Sequence, residues 1–148
     1  VFLLDTNVIS ETNRLRPSSE VTAWINGVPQ ELQYVSAISL AEITRGATRH
    51  PDPLQRQNLQ FWIDNDLQTW LGDGVLDVSK QIAEKAGQVA GLRDREGRPI
   101  SFADALIAAT AIDYGFTLVT GNTKDFLGLP LQILNPWTDT IPHQAQSL

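Results

Sequence analysis

VFLLDTNVIS, residues 1–10, is the stretch on which the fold turns. Val1–Leu4 is an unbroken apolar run, which predicts a strand buried on both faces. Asp5 follows with no turn residue between, and Thr6 and Asn7 stand behind it. An ionised carboxylate at the mouth of a buried strand is unfavourable unless something there engages it. Two uses are open: capping a short helix over Thr6–Ser10, or holding charge at the end of a sheet.

The rest of the chain repeats the pattern of short strand followed by helix. Val21, Trp24, Ile25 and Val28 fall at helical spacing and predict a helix over Ser18–Gly27. A second strand is expected over Gln33–Ala37, followed almost directly by a helix over Ile38–Thr48. Leu59, Trp62, Ile63, Leu67, Trp70 and Leu71 share one face of a long helix over Pro53–Leu71. A third strand at Gly74–Val78 leads into a helix over Ser79–Arg95. Gly97–Pro99 breaks the chain, and a helix over Ser101–Tyr114 stops at Gly115. Strands at Phe116–Thr120 and Leu131–Leu134 complete an α/β domain. Such alternation predicts a largely parallel sheet with helices on both faces. No linker or repeat divides it, so one domain over 1–137 is expected, with a polar tail over 138–148.

Composition narrows the function classes. The chain has 148 residues and 42% hydrophobic content, enough for a full core in one domain. It has no cysteine, which removes disulfides and thiolate metal sites and fits a reducing, cytoplasmic setting. No apolar run reaches the roughly 18 residues of a membrane span, and no export signal is visible. His50 and His143 stand alone, so no zinc cluster is expected. The net charge of −6 argues against a broad basic face for nucleic acid.

In a parallel α/β sheet, strand C-termini and helix N-termini share one edge, where ligands bind. Asp5 ends the first strand. Glu42, in SAISLAEITRG, falls in the first turns of the helix after the second strand. Asp104, in PISFADALIAAT, falls in the first turn of the helix leading to the fourth strand, and Asn122 and Asp125, in TLVTGNTKDF, follow that strand. Capping explains part of this. Ser39-x-x-Glu42 and Ser101-x-x-Asp104 fit capping boxes, Asn122-x-x-Asp125 resembles one, and a first-turn carboxylate gains roughly 0.3–1 kcal/mol from the helix dipole. Capping does not require the acids to converge. Carboxylates brought together repel one another, and a hard divalent cation is the natural counter-charge.

These segments together resemble a known family. LLDTNVISE, the S-x-x-AE motif at Ser39–Glu42, S-x-ADALIAATA and LVTGNTKDF are similar to the PIN-domain ribonucleases, and within them to VapC-type toxins. The closing ILNPW is similar to the end of a subgroup of those toxins. The resemblance implies a five-stranded parallel sheet, an endonuclease acting on RNA with Mg²⁺ or Mn²⁺, and a small antitoxin partner. By position it assigns Asp5, Glu42 and Asp104 to the acidic triad, with Asn122 at a fourth position that is commonly Asp or Asn. Asp5 and Asp104 are the expected metal ligands, and Glu42 orients the attacking water or acts as base. Thr6 and Asn7 are expected to fix the Asp5 rotamer, with Thr120 and Asp125 in support. Asp125 either compensates for the neutral Asn122 or merely starts the next helix.

A receiver domain would want adjacent acids near the first strand, and a haloacid-dehalogenase phosphatase would want Asp where Asn7 stands. The serious alternative is a degenerate PIN fold that only binds RNA or protein, Asn122 marking a lost ligand. Arg45, one turn beyond Glu42, is the expected phosphate contact. Arg14, Arg16, Arg93, Arg95 and Arg98 read mostly as solvated surface charges. Phe61 lies off the apolar stripe of the long helix, which suggests an interface. The resemblance implies a homodimer contact and an antitoxin groove. The Ser18–Gly27 and Pro53–Leu71 helices, with Trp24 and Phe61, are the expected groove, from which the antitoxin would block the acidic edge with a basic side chain.

Overall fold

A computed structural model describes residues 1–139, so the expected tail falls outside the described residues from position 140, and His143 with it. The strands β1 (Phe2–Leu4), β2 (Gln33–Ser36), β3 (Val75–Leu76), β4 (Thr117–Val119) and β5 (Ile133–Leu134) form one sheet in the order β3-β2-β1-β4-β5. Every neighbouring pair is parallel. Leu3 pairs with Tyr34 on one side and Leu118 on the other, so β1 sits at the centre. The strand expected over Gly74–Val78 shrinks to Val75–Leu76, because β3 is an edge with a single neighbour.

Period-two alternation along these strands builds two cores. Leu4, Val35, Val119 and Leu134 face one side, where they meet Val8, Ile9, Val21, Trp24, Ile43 and Leu67. Leu3 and Leu118 face the other, against Ile107, Ala108, Ala111 and Phe126. Leu3 and Leu4 are both fully buried. Each contributes about 1.5–3 kcal/mol by leaving water, and together they anchor the residue that follows them.

Asp5 leads directly into a short helix, α1 (Thr6–Glu11), which it caps through the Thr6 N–H. Helix α2 (Ser19–Gly27) begins at Ser18, whose hydroxyl accepts from the Val21 N–H. Helix α3 (Ala37–Thr48) begins one residue earlier than expected, capped by Ser36. The long helix is continuous but not uniform. Helix α4 (Pro53–Trp62) passes through a π-helical turn, Ile63–Leu67, into α5 (Gln68–Leu71). Ile63, Leu67 and Leu71 remain buried, while Phe61 is 65% exposed.

Helices α6 (Lys80–Arg95) and α7 (Phe102–Tyr114) pack through Ile82, Ala86, Val89, Ala105 and Ala109. With the sheet on its other side, α7 is covered nearly all round, which suits its alanine-rich sequence. Ser101 caps it through the Asp104 N–H at 3.1 Å. Gly115, at φ 72°, closes it in a left-handed turn that a side chain would strain. This start and stop place Asp104 at the same edge as Asp5.

Candidate active site

Asp5 is 3% exposed, and both of its oxygens accept hydrogen bonds. Oδ1 accepts from the Thr6 N–H at 2.7 Å; Oδ2 accepts from the Thr120 hydroxyl at 2.8 Å and from Asn7 Nδ2 at 3.2 Å. Thr120 is itself fully buried at the end of β4, and its Oγ1 also receives the Asn122 N–H at 3.0 Å. Asn7 spans the gap between the first and fourth strands' ends. Its Nδ2 reaches Thr120 Oγ1 at 3.3 Å, and its Oδ1 accepts from the Gly121 N–H at 3.2 Å. The rotamer of Asp5 is thus fixed from two chain segments, with Thr120 contributing as much as Asn7.

Thr6 has a different task from the one expected. Only its backbone touches Asp5; its hydroxyl donates to Glu42 Oε1 at 2.6 Å. Ser39 Oγ lies 3.0 Å from the same hydroxyl and is fully buried. A hydroxyl has one proton, so Thr6 gives it to the carboxylate and accepts from Ser39. The expected Ser39–Glu42 capping box is therefore absent. Ser36 is the cap, and Ser39 and Glu42 lie inside α3. Capping does not account for Glu42, whose orientation comes from a residue beside Asp5.

Asp104 is half-buried in the first turn of α7. Burial raises its pKa above 3.8, against the lowering bond at Ser101, and the charges of Glu42 and Asp125 raise it further. Burial likewise pushes Asp5 up from 3.8 to about 6, opposed by Thr120 and Thr6 and reinforced by Asp104 and Glu42. Asp5 thus feels the charges of Asp104 and Glu42, and Asp104 those of Glu42 and Asp125. The ion pairs among the described residues, Arg14–Glu11, Lys80–Glu84 and Arg98–Glu96, include none of them.

Asn122 and Asp125 frame the short 3₁₀ turn at Thr123–Phe126, and both are exposed. Asn122 does not cap that turn with its side chain, so the likeness to a capping box fails here too. Asp125 reaches Asp104 through its charge, which brings it into the acidic group electrostatically. Arg93, read from sequence as a surface charge, is 5% exposed. Its guanidinium donates to the Asp125, Leu127 and Arg98 carbonyls, tying the turn to the end of α6. No sequence signal separates it from Arg95 beyond its register on the buried side of α6. Arg45 is exposed on α3, three residues beyond Glu42.

The donor set is one a hard cation accepts: carboxylate oxygens backed by hydroxyls and an amide, without sulfur or imidazole. Among the described residues, no group of three or more His, Cys, Asp or Glu is arranged to hold a metal ion. A cation here would take one or two carboxylates and fill its shell with water, the mode that suits Mg²⁺.

Comparison with known proteins places the chain in a family. The model of the family described as PIN domain matches residues 2–128. VapC ribonuclease Y4jK of Sinorhizobium fredii is 34% identical over 93% of this chain and 98% of its own length. Among solved structures, FitAcB from Neisseria gonorrhoeae superposes with a TM-score of 0.86 at 30% identity, covering 94% of this chain and all of that one. A toxin–antitoxin complex from Klebsiella pneumoniae gives 0.64 at 26% identity, covering 92% of this chain and 98% of that one.

Proposed function

Because the chain belongs to the PIN-domain family and to its VapC-type toxins, we propose that it is an endoribonuclease toxin, metal-dependent and restrained by a small antitoxin. The observation that carries this reading is the placement of buried Asp5, Glu42 tied to the neighbouring Thr6, and Asp104 at the start of α7 along the sheet's carboxyl edge, with no cationic side chain paired to them among the described residues. A degenerate, purely binding PIN fold would have no reason to keep that placement. The ribonuclease Y4jK and the Klebsiella complex support the activity and the partner.

Asp5 and Asp104 are the residues we assign to holding the cation, Mg²⁺ or Mn²⁺. When bound, that ion polarises the scissile phosphate and lowers the pKa of water. Asp5 is preorganised for the task by Thr120, Asn7 and the Thr6 N–H. Glu42, held by the Thr6 hydroxyl, orients the attacking water or takes its proton. Asn122 and Asp125 border the site from the β4 side, and Arg45 contacts phosphate from α3.

Phe61 and Leu54, 65% and 61% exposed, leave apolar side chains uncovered on α4, the proposed antitoxin groove. Trp24 is 1% exposed and belongs to the core, so it leaves the groove. Leu92, Phe102 and Tyr114 are exposed apolar residues that suit a homodimer contact. Among the described residues, no helix is long and apolar enough to cross a membrane. The test is cleavage of end-labelled RNA by purified protein in Mg²⁺ and in EDTA, with and without the adjacent gene product. Cuts are expected only in Mg²⁺ and only without the partner. Cleavage that is unchanged in EDTA would overturn the metal dependence.

A further inference from the structure

The ILNPW ending is not used by the acidic site, yet it returns to that site's border. Asn135 Oδ1 accepts from the Trp137 N–H at 2.9 Å, and the Asn135 carbonyl accepts from the Thr138 and Asp139 N–H groups. This turn, with Pro136 buried behind it, holds the Trp137 indole over Gly121. A Cβ on Gly121 would lie 2.8 Å from Trp137 Cζ3 and 3.0 Å from Cε3, so only glycine admits the ring there. Gly121 is the residue after Thr120, the hydroxyl bound to Asp5.

Beside the ring is a hollow of about 450 Å³, walled by Asn7, Ser10, Arg14, Gly121, Asn122 and Trp137. That volume falls in the roughly 300–1,000 Å³ range of small-molecule sites. It shares Asn7 and Asn122 with the acidic site, so the two are continuous. The Ser10 hydroxyl and the Asn122 side-chain amide have no hydrogen-bond partner among the described residues, and both residues are exposed. Arg14 is 70% exposed at its side chain, and its guanidinium pairs among the described residues with Glu11 Oε1 at 3.4 Å. Glu11, also in the wall, is held by the Ser18 N–H at 2.8 Å. An aromatic ring, free amide and hydroxyl groups and an under-used guanidinium next to a phosphate-cleaving site are what an unpaired nucleotide requires.

We propose that this hollow is a nucleobase subsite: an unpaired RNA base beside the scissile phosphate stacks on Trp137. Ser10 and Asn122 hydrogen-bond its edge, and Arg14 holds a flanking phosphate. A base inside a duplex cannot enter, so the subsite selects single-stranded segments. The inference rests on reading the acidic edge as the RNA-cleaving centre.

The probe is a fluorescein-labelled 2′-O-methyl RNA hexamer of mixed sequence, followed by anisotropy against folded, full-length protein. Trp137→Leu is expected to weaken binding about tenfold, and Trp137→Phe less than about threefold. Ser10→Leu fills the hollow from an exposed helical position that does not bear on folding, and is also expected to weaken binding. Arg14→Gln lowers the slope of log affinity against log salt by about 0.7, whereas Trp137→Leu leaves it unchanged. Wild-type binding by both Trp137→Leu and Ser10→Leu overturns the subsite. So does weakened antitoxin binding with RNA binding intact, which would give the hollow to the protein partner. Cleavage of the unmodified hexamer by the same preparation separates the two readings. Trp137-dependent binding without cleavage rejects the acid assignment and leaves the subsite standing; cleavage with binding indifferent to Trp137 and Ser10 rejects the subsite alone.

Discussion

Replacing Asp5 by Asn removes a charge from a site where burial disfavours it. In the folded chain the pKa of Asp5 is raised from 3.8 to about 6, chiefly by burial, with Asp104 and Glu42 adding repulsion. The folded state therefore holds the Asp5 proton more tightly than the unfolded one. Stability from this group is fully present below pH 3.8 and is lost as pH rises through about 6. A shift of that size corresponds to about 3 kcal/mol of destabilisation at pH 7.5 without metal. Asn escapes it, but it keeps a single acceptor oxygen, so either the Thr6 N–H or the Thr120 hydroxyl loses its acceptor, and the lost bond costs about 1–2 kcal/mol. Asp5→Asn should then be more stable than wild type by about 1–2 kcal/mol at pH 7.5, and less stable by a similar amount at pH 4. For a chain of this length the melting temperature moves by about 2–4 °C per kcal/mol. Thermal melts in EDTA across pH 4–7.5 would read a crossing of the two curves. Parallel curves, with the same difference at both ends, would refute the claim that Asp5 is held ionised against its environment.

Thr6→Val should free Glu42, lowering kcat at least about tenfold with little change in KM, while Thr6→Ser restores the 2.6 Å bond and most of the rate. Steady-state cleavage of one defined RNA compares the three. Asn122→Asp adds a further carboxylate at the site's border, and Mn²⁺ titrated into both proteins should bind the variant more tightly; equal affinities would remove Asn122 from the site. Phe61→Asp changes a residue that is 65% exposed, so it should weaken antitoxin co-purification while leaving the melting temperature within about 2 °C.

The order of strands and helices was legible because each carries a clear period and a recognisable stop. Leu3 and Leu4 point to opposite cores, as a strand buried on both faces must, and Gly115 ends α7 where the glycine stands. The places of Asp5, Glu42 and Asp104 toward one edge were legible because strand ends and helix starts share that edge in a parallel sheet. What sequence could not supply was the wiring between segments. The Thr6 hydroxyl serves Glu42 because α1 and α3 lie side by side, and a local view of DTN assigns that hydroxyl to Asp5. Ser39 looked like a cap because the local pattern fits one, but the helix starts earlier, at Ser36. Arg93 and Trp24 owe their burial to partners in other segments. The two-residue β3 reflects its place at the sheet's edge, which spacing along the chain does not reveal.

On the function proposed here, Asp5 and Asp104 together carry metal-dependent RNA cleavage. Single-turnover cleavage of one RNA by wild type, Asp5→Asn and Asp104→Asn, at saturating Mg²⁺ and with folding verified by circular dichroism, tests it most directly. Both variants are expected to fold, and each to lose at least about 100-fold in rate, a loss of transition-state stabilisation of about 3 kcal/mol or more. A folded Asp5→Asn or Asp104→Asn variant that cleaves at the wild-type rate would contradict that reading.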